Sequence, residues 1–169
     1  SSDIILSQNG EVDVGYKIFY DDLRLFQERA KKCNGMYWSN VRSMEFSKKY
    51  EYYPVAIEPY LRFAIFSSLA MGCRGITYWT YHQRGSNEHE LFLSAPLDMQ
   101  GRKTAAWYYA KQLNVEIRRF NFVFRNSTLI AYGHVGKLYG SNQMLKFPFG
   151  RLTGIRVFGD GYLVTRLGN

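Results

Sequence analysis

Cysteine, proline and acidic side chains are scarce in this chain, and it has no long apolar run. Of 169 residues two are cysteine and four are proline. Cys33 and Cys73 lie far apart in apolar surroundings and form no metal-ligand spacing, so buried free thiols are expected, not a zinc site or a disulfide. No stretch approaches the ~20 apolar residues of a transmembrane helix, so no membrane span is expected. The opening Ser1-Ser2-Asp3-Ile4 lacks the basic start and apolar stretch of a signal peptide. It also lacks an initiator methionine, which suggests an excised or processed piece. Asp plus Glu number 14 against 22 Lys plus Arg, a formal net charge of +8. Such an excess favours anionic partners but does not bear on the fold. Nucleophile-elbow, Walker A and His-Glu-x-x-His motifs are all absent.

Aromatic residues are abundant. Fourteen Tyr, twelve Phe and three Trp make up 17% of the chain. That excess implies either a heavily packed aromatic core or surfaces on which flat ligands stack, sugar rings and nucleobases among them. With 46% hydrophobic and 21% charged residues, the chain can bury a core and is not disordered.

Along the chain, Ile4, Leu6, Val12 and Val14 alternate loosely around the turn signal Asn9-Gly10. Asp21-Asp22 reads as a helix start, with Lys31-Lys32 at the far end and Asn34-Gly35 stopping it. A strand is expected over 36–41 and a loop over 42–53. Glu58-Pro59 opens the strongest helical pattern, because proline suits a first turn, and Gly72 ends it. The β-branched and aromatic run 76–81 predicts a strand. The polar segment 82–98 predicts a long functional loop. A helix is expected over 102–120, with Ala106, Tyr109, Leu113, Ile117 and Phe120 inward. Helices alternating with strands imply parallel pairing and an α/β architecture. Beyond a boundary near 121–127, short strands at 128–135, 154–158 and 161–167, with a turn at Asp160-Gly161, predict a small β appendage.

The run from Arg62 through Ser67-Ser68-Leu69-Ala70-Met71-Gly72 to Gly75-Ile76-Thr77-Tyr78-Trp79 resembles the penultimate helix and last strand of β/α-barrel glycoside hydrolases. Leu97-Asp98-Met99-Gln100-Gly101-Arg102-Lys103-Thr104 is similar to the opening of their final helix, and Asn114-Val115-Glu116-Ile117 to its close. The nearest group is the β-galactosidase-like enzymes around glycoside hydrolase family 42, of the two-glutamate clan. The resemblance covers about residues 20–120. It implies that residues 1–121 are the closing portion of a TIM-type (β/α)8 barrel and 122–169 the start of an antiparallel β domain. A whole barrel needs ~250 residues, so the remainder would come from the same polypeptide or an associated fragment. Catalysis is not expected of this stretch by itself. The partner implied is an oligo- or polysaccharide, the location extracytoplasmic, and no cofactor is called for.

In that family a nucleophilic glutamate closes the seventh strand. The alignment places Asn40 there, with Glu45 five residues later as the catalytic candidate. Asn40 cannot act as a nucleophile, which points to lost catalysis or a shifted register. Trp79 and Tyr81 would share one side of a strand and form a platform for a sugar ring, as a last-strand Trp does in the clan. Packing core is the other reading of both, and of Trp38. Asn40, Glu45, His82, Gln83, Arg84, Glu88, His89 and Glu90 follow strand ends, where barrel active sites sit. Carboxamide, carboxylate and guanidinium groups match sugar hydroxyls, although a solvated loop explains the same run. Adjacent Glu88-His89-Glu90 makes a poor metal site, and His134 reads as structural. Lys48-Lys49 with Tyr50, Tyr52 and Tyr53 has the cation–aromatic interleaving of single-strand nucleic-acid binders. The other basic residues are scattered, which makes nucleic acid the weakest reading.

Overall fold

The computed structural model describes residues 12–48, 51–136, 143–159 and 161–168. The sequence signals at Asn9-Gly10, Lys49, Tyr50 and Asp160 lie outside them. Helix α1 spans Val12–Lys32 and ends on Arg29, Lys31 and Lys32, cations that suit the negative end of the helix dipole. It begins well before Asp21-Asp22. Phe19, Tyr20 and Leu23 lie at spacings that face one side of a helix, and all three are buried. Their packing outweighs the acidic start signal, and the alternation expected at Val12 and Val14 becomes helix.

Strand β1 (Trp38–Arg42) is followed by β2 (Glu45–Lys48) and β3 (Glu51–Tyr53). Helix α2 (Glu58–Ala70) follows, with Pro59 in its first turn as expected. It buries Leu61, Ala64, Ile65 and Leu69, and Gly72 adopts φ +90° beyond it. Strand β4 (Gly75–Trp79) then pairs with β1 in parallel, from Trp38 opposite Gly75 to Arg42 opposite Trp79. The β1–α2–β4 crossover is the part of the sequence reading that the structure reproduces most directly. Ser68, buried in α2, donates to the Ala64 carbonyl at 2.7 Å and meets the Ser39 hydroxyl at 2.9 Å, so this polar pair is satisfied inside the core.

The sheet does not continue into a barrel. After β4 comes β5 (Glu90–Leu93), which joins a separate antiparallel sheet of order β3-β2-β5. Helices α3 (Ala105–Arg119) and α4 (Asn121–Phe124) precede an antiparallel pair of β6 (Thr128–Gly136) and β7 (Gly161–Gly168). Among the described residues there are thus four helices and seven strands in two- and three-stranded sheets. This is a mixed α/β arrangement, and the expected closing portion of a TIM-type barrel is not observed. A barrel requires one continuous, tilted sheet, whereas here the parallel ladder stops at two strands.

Smaller expectations also change. The supposed loops 42–53 and 82–98 contain β2, β3 and β5. Phe46 pairs directly with Tyr53 on one side and Phe92 on the other, ring centroids 5.5 and 5.1 Å apart. Such cross-strand aromatic pairs contribute about 0.2–1 kcal/mol each. Residues 154–158 form no strand. Phe120 is exposed instead of facing inward. Both cysteines are free, but Cys33 is exposed while Cys73 is buried. Burial pushes the Cys73 thiol pKa up, offset in part by hydrogen bonds with the Gly75 carbonyl and the Ser39 amide. No helix among the described residues is long and apolar enough to cross a membrane.

The main core joins α1, α2, α3 and β1, with Tyr132 of β6 and Leu163 of β7 packed against it. His134 of β6 is buried edge-on to Tyr20, ring centroids 4.7 Å apart, and among the described residues neither ring nitrogen has a hydrogen-bond partner. Burial lowers its pKa below 6.5, with the Gln143 carbonyl pulling the other way. At the surface between α2 and α3, Arg62 grips Glu116 at 2.6 and 2.9 Å and Glu58 at 2.7 Å. The Arg62 hydrogen bonds hold the Glu116 carboxyl at about 2, below its ordinary 4.5.

Two pH effects follow in separate windows. A histidine kept neutral in the fold but free to protonate when unfolded lowers stability as pH falls below about 6.5. His134→Leu should therefore unfold at the same or higher temperature at neutral pH and lose less stability by pH 5. Removing two unmet buried nitrogens is worth on the order of 1 kcal/mol. A depressed carboxylate acts lower: the Glu116 contribution is full above about pH 4.5 and fades toward pH 2. Glu116→Gln should flatten that acid limb of the melting-temperature profile, and an unaltered limb would exclude this pair as its source.

Candidate functional site

The C-terminal ends of β1 and β4 lie side by side and are stitched together by short polar contacts. The Ser43 amide donates to the Trp79 carbonyl at 2.8 Å, and its hydroxyl to the Thr80 carbonyl at 3.0 Å. The Thr80 hydroxyl reaches the Met44 sulfur at 3.2 Å. Beneath them is Arg42, 1% exposed. Its Nη1 donates to the carbonyls of Met44 and Pro54, and its guanidinium lies 4.5 Å from the Tyr60 ring centroid and 5.7 Å from that of Tyr53. Among the described residues its Nε has no hydrogen-bond partner. A buried cation is tolerated where carbonyl dipoles and aromatic faces surround it.

Trp79 is half-buried at the rim of this region. Its ring meets Phe46 edge-on at 5.8 Å and packs on the cluster of Met44, Phe92 and Ala95. β4 ends at Trp79. The period-two argument that put Trp79 and Tyr81 on one strand face therefore does not extend to Tyr81. Tyr81 is 46% exposed, and its carbonyl accepts from the Leu97 amide at 2.9 Å. The Gln83 amide donates to the Leu97 carbonyl at 2.7 Å. These two contacts hold 81–83 against the segment leading to α3. Arg84 lies over the Phe92 ring at 5.0 Å.

Glu45 opens β2, directly after the β1 end. It is half-buried and accepts from the Tyr52 hydroxyl at 3.3 Å. The Glu45 charge is the main reason the Tyr52 phenol pKa is raised. Asn40 is not at the strand end. β1 runs on to Arg42, and Asn40 sits within it on the exposed face, its Oδ1 accepting from Thr77 at 3.0 Å.

Other sequence candidates lie elsewhere. Trp38 is 66% exposed at the opposite end of β1, about 13 Å from Arg42 along an extended strand. A Cβ on Gly75 would come within 2.5 Å of the Trp38 ring, so the indole lies directly on the glycine backbone. Glu88 and His89 are in an exposed turn, paired with each other at 3.4 Å. The Asn87 side chain organises this turn by accepting from the His89 and Glu90 amides at 2.8 and 2.9 Å. Glu90 pairs with Lys48 at 3.7 Å across β5 and β2. Among the described residues no group of three His, Cys, Asp or Glu side chains could hold a metal.

Glu45 thus follows the end of β1, and Tyr81 and Gln83 follow Trp79 at the neighbouring end of β4. Asn40 lies further down the strand face, while Trp38, Glu88 and His89 stand apart. Sequence reasoning passed over Arg42, because nothing in its spacing distinguishes it from a solvated loop cation. No known family model matches the chain, and no curated protein is significantly similar to it.

Arg42 generates a clear prediction. Arg42→Ala opens a void and leaves the Met44 and Pro54 carbonyls unmet, and should lower unfolding free energy by about 3 kcal/mol or more in urea titrations. Arg42→Met, which refills volume without the donors, should cost less. Equal losses in both variants would assign the effect to the donors alone.

Proposed function

We propose that this chain is the glycan-binding portion of a glycoside hydrolase-like protein, with the ends of β1 and β4 as the sugar site. The observation supporting this reading is the pairing of half-buried Trp79, fixed edge-on by Phe46, with exposed Tyr81 two residues on. A packed indole and an adjacent phenol offer apolar faces to the C–H surfaces of a sugar ring. In this reading Gln83, after the end of β4, and Glu45, after the end of β1, supply the amide and carboxylate groups for its hydroxyls. The resemblance of residues 62–81 to the glycoside hydrolase helix–strand signature points the same way.

Binding without hydrolysis is the form of this proposal that the site favours. Retaining glycosidases place two carboxylates about 5 Å apart. Among the described residues Glu45 is the carboxylate this reading places at the site, and it accepts a hydrogen bond from Tyr52. Asn40, at the position matched to the family nucleophile, cannot form a glycosyl ester. If hydrolysis operates in a longer polypeptide, Glu45 is the residue of this chain that would take part as acid or base.

Titration calorimetry with β-linked galacto-, gluco- and xylo-oligosaccharides tests the proposal. At least one series should bind saturably, and Tyr81→Ala should weaken it about tenfold, a stacking contact's worth. Trp38→Ala, at the far end of β1, should bind as the parent does. Failure of every series to bind, or full affinity in Tyr81→Ala, removes the sugar assignment. Release of product from an aryl β-galactoside, abolished in Glu45→Gln, would instead favour a hydrolytic role.

A further inference from the structure

A parallel sheet of two strands is an incomplete object. Parallel strands are ordinarily buried on both faces, and an isolated pair is marginal in water. The composition of β4, Gly-Ile-Thr-Tyr-Trp, is that of an interior strand, yet none of its five residues is buried. Its described pairing is with β1 on one side only. Among the described residues no strand pairs with its other side, and such an edge templates a further strand.

Next to the start of β4 is a groove of about 540 Å³, where the strand meets the C-terminal half of α3 and α4. Met36, Ile76 and Phe124 give it an apolar lining. Arg74, Arg118 and Arg125 also line it, and no carboxylate is among the described lining residues. Two of these arginines are anchored by backbone carbonyls: Arg74 by Phe124 and Arg125, and Arg118 by Asn114 at 3.3 Å. Such contacts orient the guanidinium groups without neutralising them.

We infer that the free edge of β4 is a docking site for an extended segment of another polypeptide stretch, apolar at alternate positions and flanked by carboxylates, which adds as a third strand. The hydrogen-bonding edge calls for an extended backbone, and the groove supplies the apolar pocket. The three arginines set the charge of the partner. The inference is independent of the sugar reading, since it concerns the edge of β4 and not the residues that follow its C-terminal end.

The probe is an end-blocked peptide of about six alternating valines and threonines with an aspartate at each end, titrated into the full chain. Saturable binding is expected, with slowed amide exchange across Gly75–Trp79. The lysine-flanked counterpart should bind at least about tenfold more weakly. A peptide with proline at its centre, lacking the ladder donor, should not bind. Arg118→Glu, a change at an exposed position that takes the groove from three positive charges to a net one, should narrow the preference between the two charged peptides. The inference is overturned if the aspartate-flanked peptide fails to bind, if the proline peptide binds equally well, or if exchange across β4 is unaltered. Sedimentation showing a dimer that protects the same amides would overturn it in favour of a second copy.

Discussion

The guanidinium of Arg42 is the contact on which the arrangement of this chain turns. It closes β1, and its hydrogen bonds to the carbonyls of Met44 and Pro54 fix both the exit into β2 and the approach to α2. Tyr53 and Tyr60 cover its faces, so strand β3 and the first turn of α2 are brought to the same point. A charge at this depth is tolerated because its neighbours supply lone pairs and π-density. The segment from β1 to α2 is therefore organised around a cation and not around an apolar residue. The aromatic cluster of Phe46, Tyr53, Trp79 and Phe92 lies beside it.

How much of this was legible in the sequence depended on how local the cause was. Pro59, the apolar face of α2 and the β-branched start of β4 are local signals, and those elements appear where they were expected. β2, β3 and β5 are three or four residues long, too short for alternation to register. Their strand state comes from Phe46 finding rings on both sides. The early start of α1 has the same origin, since Phe19, Tyr20 and Leu23 are stabilised by partners distant in the chain. The barrel expectation failed at the level of topology: a β–α–β crossover is shared by many architectures, and two strands do not specify which sheet they begin.

At the candidate site the residue types were legible and their positions less so. Trp79 and Tyr81 do flank the end of β4, but the strand stops between them. Strand periodicity therefore does not set the side on which Tyr81 lies. Asn40 was assigned to a strand end because the strand was read one residue short. Arg42, which supports the whole region, was invisible because a buried arginine and a solvated one look alike in a sequence.

The contact between Trp38 and Gly75 has an evolutionary consequence. The indole rests where a Cβ would be, so the two positions are coupled across the β1–β4 ladder. A side chain can be gained at 75 only as the ring at 38 shrinks or swings outward, and a large aromatic at 38 is compatible with glycine opposite. Variation at this register pair should thus be correlated, with the order of substitutions constrained: the tryptophan must yield before the glycine can be replaced.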